Sequence, residues 1–283
     1  MVRSEPPETL PQPIGVLGLP IRPLTAARLA ECLVARASAG IRTRVCYANA
    51  HTANLAWRDP AYREVLSRSE LLYADGAAIV WASRLGRHPL PARLTAADHF
   101  PGFARTCAAA RLPLFLLGGH PGVAEAAATA LRRDIEALEI AGTAHGYFAA
   151  EDSPAIVERI NACRPAVLVI GLSSPRQEFW MFSHWEQLRV PVCWCVGALL
   201  DYLAGRERRG PDWLCRMGGE WLYRLAMDPR GKWRRYLFGN PRFLWNVIRW
   251  RLGRGPRYPE GAASAWSDSA PASQEENAHA AAP

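Results

Sequence analysis

The sequence predicts an α/β fold: a Rossmann-like, mostly parallel sheet flanked by helices, with a basic helical C-terminal appendage. Three observations predict it. Short uninterrupted apolar runs recur from Arg44 to Val196, stretches with helical spacing lie between them, and after Asp201 the chain turns to Arg- and Trp-rich helical sequence. Strands covered on both faces read as continuous apolar runs, and their alternation with helices marks βα units around a parallel sheet.

The predicted strands are Arg44–Tyr47, Leu71–Tyr73, Leu114–Leu117, Ile140–Thr143, Val167–Ile170 and Val192–Val196, each bounded by turn or cap residues. Ile14–Leu17 is a further candidate. Val123–Leu138 and Ala155–Cys163 carry helical spacing between strands. Near the C-terminus Phe243, Leu244, Val247 and Ile248 form an apolar stripe at helical spacing, with Arg242, Asn246 and Arg249 expected on other faces. The resulting organisation is a flexible arm at 1–12, an α/β catalytic domain at 13–203, an Arg/Trp-rich appendage at 204–257 and a disordered tail at 258–283. The tail is predicted from its Ala, Ser, Pro and Gln content, which supplies too little apolar surface for a core.

With 49% hydrophobic and 21% charged residues in 283, the chain is globular and long enough to bury a full core. Its positive charge is concentrated: between Ala204 and Pro259, thirteen Arg and one Lys stand against Glu207, Asp212, Glu220 and Asp228. A cationic surface of this kind suits an anionic membrane leaflet, and nucleic-acid binding is the alternative, although no RNA-module aromatic motif accompanies it. The seven cysteines are odd in number and lack C-x-x-C spacing, as expected of buried free thiols in a reducing cytosol. No signal peptide and no apolar run of about 18 residues is visible, so the expectation is a protein kept inside the cell.

In a parallel α/β sheet, ligands bind beyond the carboxyl ends of the strands. Four segments fall there. Tyr47-Ala48-Asn49-Ala50-His51-Thr52-Ala53-Asn54 gathers amides and hydroxyls after a strand, to cap a helix or to meet a polar ligand. Ala74-Asp75-Gly76 sets a carboxylate at a strand end, as a general base or another cap. Leu117-Gly118-Gly119-His120 is a glycine turn into a helix, suited to a phosphate or to a tight turn alone. Gly171-Leu172-Ser173-Ser174-Pro175-Arg176-Gln177-Glu178 leads a buried strand into a helix whose first turn holds a cation, an amide and a carboxyl. The G-x-G-x-x-G of dinucleotide oxidoreductases, a Walker loop, a G-x-S-x-G elbow and a paired-His metal motif are all missing.

The ordered series resembles the WecG/TagA/CpsF glycosyltransferase family from about Ile14 to Leu244. It comprises Asn49 with Asp59-Pro60, Ala74-Asp75-Gly76, Pro91-Ala92-Arg93-Leu94-Thr95 with Asp98, Leu116-Leu117-Gly118-Gly119, Gly146-Tyr147-Phe148 and Gly171 with Pro175-Arg176-Gln177-Glu178. It continues with Val196-Gly197-Ala198 and Asp201, Arg209-Gly210-Pro211 with Trp213, Gly219-Glu220-Trp221-Leu222-Tyr223-Arg224-Leu225, and Arg234-Arg235-Tyr236-Leu237 with Asn240-Pro241. Each fragment is common and the order is specific.

The resemblance implies a Rossmann-related hexosyltransferase with a membrane-binding appendage, peripheral on the inner face of the cell membrane. It further implies inverting transfer of N-acetylmannosamine, its uronic acid or glucose from a UDP-sugar to a polyprenyl-diphosphate saccharide, for surface or exopolysaccharide, without cofactor or obligatory metal. By position Asp75 is the catalytic base. Asn49, Thr52, Arg93, Thr95, Asp98, Gly118, Gly119, Tyr147, Gly171, Arg176, Gln177, Glu178 and Asp201 are the substrate-binding candidates, and Arg209 and Arg224 are the appendage cations that meet diphosphates. Tyr47 stands where the family usually has Thr and Ala96 where it usually has Gly, two changes expected to reshape the sugar site. No nucleic-acid partner is implied, and a homo-oligomer is left open.

Overall fold

The computed structural model describes residues 9–86, 89–207, 210–211, 214 and 217–258, with the side chains of 224, 231, 232 and 235 outside that description. The predicted tail beyond Tyr258 and the candidate Arg209 therefore lie outside the described residues, as does the side chain of Arg224.

The chain opens with a hairpin of β1 (Ile14–Val16) and β2 (Leu19–Ile21), antiparallel and separate from the main sheet. The candidate strand at Ile14 is thus a cover element and adds nothing to the main sheet. Just upstream, the carbonyls of Thr9 and Pro11 accept from Arg28 (3.3 Å) and Arg22 (2.6 Å).

The main sheet is built from β3 (Thr43–Ala48), β4 (Leu71–Ala74), β5 (Leu114–Gly118), β6 (Ile140–Ala144), β7 (Val167–Gly171) and β8 (Val192–Cys195). Its six strands run in the order β4-β3-β8-β7-β5-β6, and every pairing is parallel. Side chains alternate across it. Val45, Tyr47, Leu116, Val169 and Trp194 enter one core with α1 (Ala26–Ser38), α5 (Ala96–Ala109), α6 (Val123–Asp134) and α9 (Leu199–Leu203). Cys46, Ala48, Leu117, Ile170 and Cys195 enter the other with α2 (Ala50–Arg58), α3 (Pro60–Ser67), α4 (Ala77–Arg84), α7 (Ser153–Cys163) and α8 (Arg176–Ser183). Both faces being covered is why the strands contain runs such as Val-Leu-Val-Ile where a half-exposed strand would alternate.

Local signals begin the helices where they fall. Thr25 caps α1 by accepting from the Arg28 N–H (3.3 Å). Asp59 caps α3 by accepting from Ala61 (2.9 Å) and Tyr62 (3.2 Å), with Pro60 at the first helical position.

The appendage comprises α10 (Glu220–Met227), α11 (Pro229–Trp233), a π-helical stretch at Arg234–Phe238, and α12 (Gly239–Arg251), which packs along α2. The expected stripe on α12 needs correction. Phe243 and Val247 are buried, but Asn246 lies beside them at 5% exposure, while Leu244 and Ile248 are 48% and 50% exposed. The inward face has i, i+3, i+4 spacing because Asn246 finds a partner: its Nδ2 donates to Asn54 Oδ1 (2.9 Å), and Asn54 Nδ2 donates to the Gly239 carbonyl (2.7 Å). A buried amide is tolerated where its hydrogen bonds are made.

Candidate active site

Asp75 follows β4 directly. Its N–H donates to the Ala48 carbonyl (2.8 Å), extending the β3–β4 ladder by one residue and fixing the backbone of Asp75 to the end of β3. Its carboxylate Oδ2 accepts from Asn49 Nδ2 (3.0 Å). Asn49 is the N-cap of α2. Its Oδ1 accepts from the N–H groups of His51 (3.0 Å) and Thr52 (3.1 Å), and Thr52 Oγ1 accepts in return from the Asn49 N–H (2.8 Å). The cap orients the amide: Oδ1 must accept, which leaves Nδ2 to face the carboxylate. The capping role and the site role weighed for Asn49 are therefore one arrangement.

Two cavities meet at this pair. The first, about 670 Å³ of empty space, lies over the carboxyl ends of β4, β3, β8 and β7, lined by Tyr47, Tyr73, Asp75, Ser173, Ser174, Gly197 and Tyr202 among others. The second, about 850 Å³, lies between α2, the start of α4 and the appendage, which contributes Glu220, Trp221, Tyr236 and Asn240. Asn49, His51, Asp75 and Thr95 line both. A carboxylate on the shared wall of two cavities can activate a group held in one against a group held in the other.

The sequence profile of the Glycosyl transferase WecG/TagA/CpsF family matches residues 14–257. The chain belongs to this family. It is accordingly a glycosyltransferase, and proteins similar to it include the N-acetylglucosaminyldiphosphoundecaprenol N-acetyl-beta-D-mannosaminyltransferases of Staphylococcus aureus strains MW2 and COL. Each is 30% identical over 204 residues, spanning 71% of this chain and 78% of the relative.

In this glycosyltransferase the remaining sequence-predicted residues fall into distinct groups. Arg93 lines the second cavity and lies 3.7 Å from Asp98, which lines neither. Thr95 lines both cavities. Thr52 is fully buried and serves the cap. Gly118 and Gly119 line neither cavity: a Cβ on Gly118 would collide with the backbone of Gly171, and one on Gly119 with Val123. The Gly119 N–H already donates to the Gly171 carbonyl (3.3 Å), so this turn serves close packing of the loops after β5 and β7. Arg176 turns away from both cavities, donating to the Phe148 carbonyl (3.0 Å) and lying over that ring. Gln177 and Glu178 are buried behind the first cavity's wall.

Tyr147 is 59% exposed and stacked on His120 at 3.9 Å. Asp201, next to the cavity-lining Tyr202, has its carboxyl raised by partial burial and by Glu207, with His120 opposing. His120 thus bears on both of these residues, neither of which lines a cavity.

Tyr73 and Tyr202 of the first cavity lay outside every segment the sequence singled out as a candidate site. His51 and Asn54 fell in the segment after β3, and Gly197, Glu220, Trp221, Tyr236 and Asn240 in the ordered family series, without a site role of their own. The appendage residues had only their place in that series until the fold brought them over α2. Tyr47 and Ala96, the two departures from the family pattern, both line the first cavity.

Proposed function

We propose that this glycosyltransferase moves N-acetylmannosamine, or a similar hexose such as its uronic acid or glucose, from a UDP donor to a sugar carried on a polyprenyl diphosphate, with inversion. The donor sugar occupies the first cavity and the acceptor sugar the second. The observation that carries the reading is the position of Asp75 on the wall common to both, held by Asn49. The acceptor hydroxyl gives its proton to Asp75 as its oxygen bonds to the anomeric carbon. The bond to UDP breaks on the opposite face, and the diphosphate leaves with the electron pair. The names of the Staphylococcus aureus relatives supply the acceptor class and the sugar.

The nucleoside extends toward Tyr147 and Asp201, an exposed ring for stacking and a carboxyl for a ribose hydroxyl. Charge on the leaving diphosphate is met by arginine, with Arg209 and Arg224 as the residues the family pattern assigns, and no metal is obligatory. The outward face of α12 meets the lipid. Leu244, Trp245, Ile248 and Leu252 are each at least 48% exposed there, among the exposed Arg242, Arg249 and Arg251, and no helix of the described residues is long and apolar enough to cross a membrane.

The test is transfer from a panel of UDP-sugars to a polyprenyl-diphosphate-GlcNAc analogue, with EDTA present. Turnover with one donor identifies the sugar, and Asp75→Asn should lower kcat on the order of 10³-fold while leaving thermal stability intact. Full turnover by that variant removes Asp75 from the role, and loss of activity in EDTA restored by a divalent cation removes the metal-independent step.

A further inference from the structure

Behind the first cavity lies a polar cluster that the transfer step does not use. Gln177 and Glu178, in the first turn of α8, are both fully buried. Gln177 Oε1 accepts from the Gly197 N–H (3.0 Å), while its Nε2 is aimed at Glu178 Oε1 (2.8 Å), Ser174 Oγ (3.1 Å) and the Tyr47 hydroxyl (3.3 Å). Ser174 Oγ donates to the same Glu178 oxygen (2.7 Å) and lies 3.2 Å from the Tyr47 hydroxyl. Tyr47, Ser174 and Gly197 line the cavity, so its floor is a set of groups whose hydrogen bonds converge on Gln177 and Glu178. Tyr47 has no slack: a Cβ on Gly197, whose φ is +62°, would meet its hydroxyl at 2.7 Å.

The second oxygen of Glu178, Oε2, is buried without a hydrogen-bond partner, and so is the hydroxyl of Tyr62 on α3. Tyr62 comes close enough to bear on the Glu178 carboxyl, though outside hydrogen-bond geometry. An ionised carboxylate would leave a buried anionic oxygen with only the Tyr62 phenol near it, whereas a carboxylic acid keeps one oxygen as the acceptor for Ser174 and Gln177 and turns the proton on the other toward the unpaired Tyr62 oxygen.

We propose that Glu178 is a positioning residue of the donor cavity, a neutral acid that holds Gln177 and Ser174, and through them Tyr47 and the Gly197 amide, in the arrangement that binds the donor. The proposal rests on the reading of the first cavity as the donor site. Burial raises the Glu178 carboxyl to about 7, against the opposing pull of Gln177 and Ser174. The titratable groups that face it are Tyr62 from α3 and Cys195 from β8, and Tyr47 and Cys46 from β3 lie next to Tyr62. These are phenols and thiols, with no cation among them to hold the carboxylate ionised. The acid form therefore prevails below about pH 7, and the ionised form gains as pH rises through that value. An anion there draws the Ser174 and Gln177 protons toward itself and away from Tyr47, which disturbs the floor.

The experiment is titration calorimetry with UDP-N-acetylmannosamine near pH 6 and pH 8 on the full chain, its Glu178→Gln variant and its Glu178→Ala variant, with KM and kcat alongside. A diphosphate esterified at both ends keeps its charge over this range. The wild type should bind about tenfold more weakly at the higher pH, the loss of one good hydrogen bond. Glu178→Gln, which accepts through the same oxygen and cannot ionise, should bind about equally at both. Glu178→Ala should raise the donor KM at both pH values with a smaller change in kcat. The same pH dependence in the wild type and in Glu178→Gln overturns the proposal alone. Absence of saturable binding by all three proteins, with their folds verified by thermal melts, overturns the donor-cavity reading and the proposal with it.

Discussion

At the scale of single residues, Asn49 joins fold and chemistry in one side chain. Its oxygen caps the start of a helix and its nitrogen holds the Asp75 carboxylate, the proposed base. These two roles separate by substitution. Ser caps a helix about as well as Asn, so Asn49→Ser should keep the melting temperature within a degree or two yet lower kcat about tenfold, because no N–H reaches Asp75. Asn49→Ala should lower kcat in the same way and also lose about 1 kcal/mol on denaturant unfolding. Equal kcat in Asn49→Ser and the wild type would sever the amide from catalysis. The cap was legible in the sequence, since Asn followed three residues later by Thr at the start of a helix is a local pattern. The bond to Asp75 was not, because it spans 26 residues and exists only through the parallel pairing of β3 and β4. Arg176 is the opposite case. A cation in the first turn after a strand ending in Gly and small residues suited a diphosphate, whereas in the structure Arg176 donates to the Phe148 carbonyl and lies over that ring while Gln177 and Glu178 are buried.

At the scale of elements, α2 ties α12 to the candidate site. The α2 helix carries Asn49 at its start and, five residues on, Asn54, which grips α12 through Gly239 and Asn246. Each Asn leaves a buried group unmet if its partner is lost. Asn54→Ala and Asn246→Ala should therefore each cost roughly 1–3 kcal/mol, and the double variant less than the sum. Phe243→Ala, which empties a site at 3% exposure, should cost about 3–5 kcal/mol. Chemical denaturation read by tryptophan fluorescence measures all four. Additive effects of the two Asn substitutions would mean that their bond carries no coupling. The sequence exposed the helical period of α12 but misjudged its phase. Composition ranks Leu244 and Ile248 as core and Asn246 as surface, and only the partner helix reverses that order.

At the scale of the whole molecule, the reversal has a functional sense. With Asn246 turned inward, α12 presents Leu244, Trp245, Ile248 and Leu252 outward beside arginines, and the second cavity opens between that helix and the α/β body. On the proposed reading, a lipid-linked acceptor reaches Asp75 from the side of this outward apolar face. Replacing Leu244, Trp245 and Ile248 together by Ser should weaken binding to vesicles containing anionic lipid by tenfold or more, while leaving turnover of a short-chain, water-soluble acceptor within about twofold of the wild type. Unchanged vesicle binding would point to a different face.

The sequence by itself determined the α/β class, the strand positions to within a residue or two, the family, and the segments that bring Asp75, Asn49, Arg93 and Thr95 to the cavity walls. These are carried by signals local to the chain: apolar runs set by burial on two faces, caps set by unpaired helix amides, and ordered motifs at strand ends. Only the tertiary structure decided that β8 inserts between β3 and β7, that two cavities share Asp75, and that the appendage supplies one wall of the second. It also decided that Gly118 and Gly119 serve packing. The physical reason is that strand order, helix rotation and long-range hydrogen bonds follow from which surfaces meet, and neither periodicity nor a motif read along one chain records its partner.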